Sequence, residues 1–261
     1  MKTVVITGAS SGIGLATGEY LARKGYKVYG LSRRKGESEL ITYLPCDVTE
    51  RRQVEEAFAM IPEDIDAVIN NAGIGVGGSI EYTPIEDVQQ IIDVNLLGVV
   101  NVVQVALPYL RKTKGRIINI GSVAGDMAIP FQAFYSLTKA GLGIFSEALN
   151  IETRPFGVRS VLVLPGDTQT SFTANRKKGI LEDGIYGKRI RKSLEKMERD
   201  EMRGMPPTAV AKVIHKVLKK KNPPIRITVG FGYKVLVFLK RLVPYRFLNH
   251  VLYKLYGGGD E

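Results

Sequence analysis

Tyr135 and Lys139 stand four residues apart in a segment of helical pattern, and Ser122 lies thirteen residues ahead of the tyrosine. A spacing of four puts both side chains on one helix face, one turn apart. A phenol can give a proton and its phenolate can take one back, but a free pKa near 10 leaves only about 0.1% phenolate at pH 7. An adjacent ammonium favours the phenolate, so Lys139 is expected to lower the Tyr135 pKa, each unit being worth about 1.4 kcal/mol. Ser122 follows the apolar run GRIINI at 115–120, at a strand end where its hydroxyl can hydrogen-bond an oxygen that gains negative charge. The three side chains suit proton exchange with a carbonyl oxygen while a nicotinamide exchanges hydride with its carbon.

That chemistry requires a bound dinucleotide. TGASSGIG follows the run TVVIT at 3–7, so Gly8, Gly12 and Gly14 fall in a G-x3-G-x-G spacing, with Ser10, Ser11 and Ile13 among them, and open a helical segment. Glycines let the backbone approach a pyrophosphate, and a helix N-terminus offers it free N–H groups and a positive dipole. The second strand ends in KVYGLSRR. An acid there would accept from a free ribose 2′-hydroxyl, whereas a base favours a 2′-phosphate. Ser32, Arg33 and Arg34, with no carboxylate before Glu37, therefore predict NADP(H) as the cofactor. No metal is expected, because His215 and His250 have no partners at ligand spacing.

These residues can act together only on a scaffold that gathers them. Apolar, β-branched runs occur at 3–7, 27–31, 41–44, 66–70, 115–120, 158–164 and 225–229, with helical segments at about 12–24, 50–60, 86–110, 134–152 and 207–221. Continuous rather than alternating apolarity predicts strands covered on both faces. The fold class is α/β: a doubly wound, seven-stranded parallel sheet of Rossmann type with helices on both faces. A chain of 261 residues with 44% apolar and 24% charged residues is neither wholly disordered nor a disulfide scaffold, and its one cysteine, Cys46, cannot form an internal disulfide. The opening MKTVVITGAS lacks a signal-peptide core, which predicts a cytoplasmic protein.

Further motifs fall in order along this frame: Asp47-Val48 after the third run, NNAG at 70–73 closing the fourth, Asn95, and Pro165-Gly166 after the sixth. With TGASSGIG, Ser122 and the Tyr135-x3-Lys139 pair, the chain resembles the short-chain dehydrogenase/reductase family over roughly residues 2–170 and again at 207–229. NIETRPFGVRSVLVLPGDTQTSF is similar to the branch holding 17β-hydroxysteroid dehydrogenases and acyl-dihydroxyacetone-phosphate reductases. The resemblance implies that Ser122 polarises the carbonyl and that Asn95 holds a water beside Lys139, completing a proton relay. It also implies that Asp47 and Val48 contact the adenine, and that Asn71, Ala72 and Gly73 line the ribose and pyrophosphate path. Pro165, Gly166, Thr168 and Thr170 would meet the nicotinamide side, together with Tyr135 and Lys139. Asp167 and Thr168 are more polar than the family's usual pair. The implied activity is NADP(H)-dependent interconversion of a ketone and a secondary alcohol, on a hydrophobic steroid or lipid-like substrate, by a homo-oligomer. The alternative is an NADPH-binding regulatory or membrane-associated scaffold without turnover.

The formal charge of +11 resides entirely in the last third: residues 1–173 carry 16 Lys+Arg against 18 Asp+Glu, and residues 174–261 carry 21 against 8. Dense charge at 171–205 predicts an excursion at the sheet edge within a domain spanning 1–230, either a substrate lid or a solvated helical insertion that does not touch ligand. Residues 231–261 form an apolar, basic extension whose longest unbroken apolar run, Val235 to Leu239, has five residues, far short of the about 20 that span a bilayer. After Pro244, Arg246, His250 and Lys254 recur every four residues, opposite Phe247 or Leu248, Val251, Leu252 and Leu255. This amphipathic helix leaves open peripheral contact with an anionic membrane, a cap on a hydrophobic pocket, a subunit interface, or packing on its own domain. A nucleic-acid partner is not expected, since the aromatics lie among aliphatics and no binding motif accompanies them.

Overall fold

The computed structural model describes residues 1–179 and 185–257. In chain order the elements are β1 (Thr3–Thr7), α1 (Gly12–Ala22), β2 (Lys27–Ser32), β3 (Thr42–Pro45), α2 (Arg51–Ala59), β4 (Ile65–Asn70), β5 (Val76–Gly77), α3 (Ile85–Ile92), α4 (Gly98–Thr113) and β6 (Arg116–Ile120). They continue with α5 (Ala133–Thr153), β7 (Arg159–Pro165), β8 (Lys177–Lys178), α6 (Gly187–Met202), α7 (Pro207–Lys219), β9 (Arg226–Val229), α8 (Phe231–Lys240) and α9 (Tyr245–Tyr256). The seven apolar runs form one parallel sheet in the order β3-β2-β1-β4-β6-β7-β9.

The alternation of side chains along each strand explains why the runs are apolar throughout. Val4 and Ile6 of β1 face one layer with Ile69, Ile118 and Val161, where Val210 and Ile214 of α7 close the core. Val5 faces the other with Val68, Ile117 and Leu162, against Val54 and Phe58 of α2 and Val102 and Leu110 of α4. Both faces are buried, as a doubly wound sheet requires. The chain starts at the centre, winds outward to β3 and returns to β4 on the other side of β1. The loops after β1 and β4 therefore meet at the switch point, where such sheets bind ligands.

Two features depart from the sequence reading. The stretch expected as one helix at 86–110 is α3 and α4 joined by a π-helical turn, Asp93–Leu97, because backbone bonding there shifts while the apolar spacing continues. By length and apolarity the run Ile85–Thr113 would suffice to cross a membrane. Here Val99, Val102, Val103, Ala106 and Leu110 are buried in the core, which accounts for that apolarity. The second feature is a two-stranded parallel pair, β5 with β8, too short and, in β8, too polar to show a period. It ties the excursion after β7 to the loop after β4. Part of that excursion, 180–184, lies outside the described residues.

The C-terminal extension folds back on the sheet. Gly230, at φ +93°, turns the chain from β9 into α8, and α9 buries Leu252 in the same cluster as Val5 and Leu162.

Candidate active site

Thr7 and Asn70 end neighbouring central strands, and the side chains that follow knit the two loops together. Thr7 Oγ1 accepts from the Asn71 and Ala72 N–H groups, both at 3.0 Å, while Asn71 Nδ2 donates to the Thr7 and Gly8 carbonyls at 3.0 and 3.1 Å. Gly8 and Gly12 adopt φ of +65° and +55°, where a side chain would be strained. A Cβ on Gly14 would stand 2.3 Å from the Gly8 oxygen and 2.5 Å from Asn71 Nδ2. The start of α1 is thus pressed against the loop, and Ser11 caps it with no side-chain hydrogen bond, so the first-turn N–H groups are open to an anion. This cradle, lined by Gly8, Ser10, Ser11, Gly12 and Ile13, fits a dinucleotide pyrophosphate.

At the outer end of the same cavity Ser32 is buried, and its hydroxyl donates to the Arg34 carbonyl at 2.6 Å. Arg33 reaches within 4.0 Å of the Asp47 carboxylate, an exposed pair of little energetic weight, and Arg34 makes no ion pair among the described residues. Asp47 accepts from the Thr49 N–H at 3.0 Å and its hydroxyl at 2.8 Å, which fixes the loop after β3. Ser10, Ser11, Gly12, Ile13, Val48 and Gly73 line this cavity too.

At the inner end Ser122 caps a short 3₁₀ turn, Val123–Gly125, accepting from the Ala124 N–H at 3.1 Å, and its hydroxyl hydrogen-bonds the Tyr135 phenol. Tyr135 and Lys139 share one face of α5, with Lys139 Nζ 5.7 Å from the phenol ring centre and donating to the Ile120 carbonyl at 2.8 Å. Asn95, buried in the π-helical turn, accepts from the Ile74 N–H at 2.9 Å and donates to the Ile74 carbonyl at 3.0 Å and Thr138 Oγ1 at 3.1 Å. It thereby joins the loop after β4 to the turn of α5 that carries the tyrosine and lysine. A Cβ on Gly73 would lie 3.2 Å from Asn95 Oδ1 and 3.7 Å from Lys139 Nζ, so the three residues converge there.

The electrostatics correct one expectation. Burial pushes the Tyr135 phenol up to about 12; the Ser122 hydrogen bond works against this, Glu201 adds to it and Arg176 opposes it. Burial brings Lys139 itself down to about 8. Loss of water penalises the charged form of each group, and the Lys139 ammonium, which donates to the Ile120 carbonyl, is not among the groups that shift the phenol. Tyr135 is held as the neutral acid.

Beyond Tyr135 a cavity of about 730 Å³ continues from the glycine loop to α9. Pro165, Gly166 and Thr168 form one wall, with Thr168 donating to the Gly166 carbonyl at 2.8 Å. Thr170 lies over Gly12, where a Cβ would meet it at 3.3 Å. The Tyr233 ring covers Gly166 so closely that a Cβ there would be 2.2 Å away, and its hydroxyl donates to Asp167 at 2.5 Å. Leu236 of α8 and Leu248, Val251, Leu252 and Leu255 of α9 make an apolar wall.

Sequence reasoning missed the polar part of the lining. Asp200 accepts from Lys196 at 3.1 Å and from Tyr256 at 3.3 Å, and Glu201 accepts from Thr173 at 2.5 Å and pairs with the buried Arg176. Burial raises the Asp167 pKa, opposed by the Tyr233 hydrogen bond and reinforced by Asp200. Phe172 sets its ring 5.6 Å from that of Tyr135. The charged string of α6 resembles a solvated helix, yet Ile190, Leu194 and Met197 step by four and three along its buried face, and the next step reaches Glu201. That spacing was the available signal.

No group of three or more metal-ligating side chains is found among the described residues, and His215 rests between the rings of Tyr20 and Tyr26. The short chain dehydrogenase profile matches residues 2–180. The 3-ketodihydrosphingosine reductase of Bacteroides thetaiotaomicron is 41% identical over 236 residues, 88% of each chain. Estradiol 17-beta-dehydrogenase 2 of Mus musculus is 30% identical over 243 residues, covering 85% of this chain and 61% of that one. A short-chain dehydrogenase structure from Streptomyces avermitilis superposes with a TM-score of 0.81 at 25% identity, covering 99% of this chain and 98% of that one. Solved neighbours at 26% and 28% identity hold NADP+ and 5-hydroxy-NADP. With the dinucleotide cradle, the Ser122, Tyr135 and Lys139 constellation and a profile match over more than half its length, the chain belongs to the short-chain dehydrogenase family, the oxidoreductases that interconvert CH–OH and carbonyl groups with a nicotinamide cofactor.

Proposed function

We propose that the protein is an NADPH-dependent reductase of a lipid-like ketone bearing an amino group near the carbonyl, of the kind named for the Bacteroides relative. The observation that carries this reading is the mixed lining of the cavity beside Tyr135, with leucines of α9 and the carboxylates of Asp167, Asp200 and Glu201. The apolar wall suits an alkyl chain, and the carboxylates suit an ammonium.

Gly8, Ser11, Gly12 and Ile13, with Pro165, Gly166 and Thr168 farther in, would hold a nicotinamide dinucleotide, which would supply the hydride for the carbonyl carbon. Tyr135, the neutral acid, gives its proton to the carbonyl oxygen, and Ser122 hydrogen-bonds the same oxygen as charge develops. Lys139, with a pKa of about 8, still carries a proton at pH 7 and can return one to the tyrosine side. Asn95 positions the loop and helix that meet around it. Arg33 and Arg34 hold the ribose 2′-phosphate. On this reading residues 1–230 are the catalytic domain, the described residues of 171–205 cover the substrate, and α8 and α9 complete its pocket.

Coenzyme consumption should be measured with 3-ketodihydrosphingosine, a steroid ketone and a short soluble ketone. The first should give the highest kcat/KM, with NADPH preferred over NADH by about tenfold or more through charge-assisted bonds, a preference the Arg33→Ala/Arg34→Ala double variant removes. Tyr135→Phe should lower turnover by about 10²- to 10⁴-fold. Equal use of the two coenzymes overturns the cofactor assignment, a superior steroid ketone overturns the substrate class, and near-normal turnover by Tyr135→Phe overturns the proton donor.

A further inference from the structure

We propose that the segment carrying α8 and α9 docks on an anionic lipid bilayer and presents the mouth of the substrate cavity to the membrane. The exposed surface of α8, α9 and the turn between them is apolar where water-facing helices would be polar: Phe231 is 84% exposed, Phe238 61%, Leu242 67%, Tyr245 81% and Phe247 59%. Positions 231, 235, 238 and 242 step by four, three and four, so on and just past α8 they share one face. Single exposed apolar residues are ordinary, but a contiguous patch of large ones marks an interaction surface.

Charge identifies the occupant. Lys234, Arg241, Arg246 and Lys254 are exposed around this face and make no ion pair among the described residues. Elsewhere on the surface, Arg23, Arg51 and Arg52 each meet a glutamate one helical turn away. Residues 231–257 contain no Asp or Glu at all. A second copy seated on this face across a two-fold axis would set these cations against the same cations with no acid to meet them, which disfavours a self-interface. Apolar bulk combined with unpaired bases is the composition of a helix lying at an anionic membrane surface.

Both helices are held in place against the body of the protein. Lys240 donates to the Asp126 carbonyl, Tyr233 is fastened to Asp167, and Leu252 is buried in the core. Leu236 and Leu255 both line the cavity and are 41% and 49% exposed, so the rim of the pocket carries exposed apolar side chains from both helices. Docking stands on the surface alone, while entry of substrate from the bilayer along this rim rests on the lipid-ketone reading above.

The full chain should be sedimented with phosphatidylcholine vesicles, with and without phosphatidylglycerol, at low and high salt. It should pellet with the anionic vesicles at low salt and be partly released by high salt. Arg241→Gln/Arg246→Gln should weaken binding by about 25-fold, at about fivefold per basic residue. Phe231→Ser/Phe238→Ser should weaken it at both salt levels, since apolar insertion is not screened. None of these side chains lines the cavity, so turnover of a short soluble ketone should be unchanged in both variants, which also shows them to be folded. Failure to pellet with anionic vesicles at low salt overturns the proposal, as does a solution dimer that Phe231→Ser/Phe238→Ser converts to monomers. Vesicle binding without turnover of any lipid ketone would sink the substrate reading and leave docking intact; lipid-ketone turnover without vesicle binding would sink docking alone.

Discussion

Lys139 is a buried ammonium that donates to the Ile120 carbonyl, and its pKa falls from an ordinary 10.5 to about 8. The unfolded chain therefore binds more protons than the native state between those values, and stability rises with pH across that window. Relative to Lys139→Met, the wild type should gain about 2–3 kcal/mol of unfolding free energy between pH 7 and pH 10 in denaturant titrations. Tyr135 acts in the opposite sense only above pH 10, where the native phenol keeps a proton that the unfolded chain loses. The same lysine should set the basic limb of reduction, with kcat/KM falling above about pH 8 in a pH–rate profile. A profile flat to pH 10 would remove Lys139 from the proton path. The identities and spacing of Tyr135 and Lys139 were legible in the sequence. The direction of the phenol shift was not, because it depends on how much water tertiary packing removes.

The scaffold places chemistry at the ends of elements, and glycine decides how closely two elements approach. Gly14→Ala puts a Cβ 2.3 Å from the Gly8 oxygen and should cost about 1–3 kcal/mol of stability, with cofactor affinity falling at least about tenfold by calorimetry. Gly232→Ala on α8 meets nothing within 4 Å and should instead stabilise by about 0.5–1 kcal/mol. Similar costs at both sites would refute the close-approach argument. The glycine loop could be found from sequence because each glycine follows a strand and opens a helix. The π-helical turn that aims Asn95 at Ile74 and Thr138 could not, since it changes backbone bonding and leaves the apolar spacing of 86–110 intact. The β5–β8 pair escaped for a related reason: two residues carry no period.

Across the whole molecule, the sheet supplies the reaction centre and segments distant in sequence supply the pocket around it. Val251→Trp, which fills the α9 wall, should lower kcat/KM for a long-chain ketone by about tenfold or more while sparing a short ketone. Equal losses on both substrates would mean that α9 does not border the chain-binding space. Glu201→Gln, which strips the buried Arg176 of its counter-charge, should cost about 3–5 kcal/mol in thermal unfolding. A cost near zero would show that the pair is solvated.

By itself the sequence determined the doubly wound sheet, the glycine cradle and the Ser122, Tyr135 and Lys139 set, because periodicity and motif spacing are local and each strand of the sheet carries its own apolar signature. Only the tertiary structure decided that Asp167, Asp200 and Glu201 line one cavity and that α9 turns its leucines toward it. Those residues come from three separate elements, and the contacts between them follow from how burying the apolar faces of α6, α8 and α9 folds the chain back on itself, which no window along the chain contains.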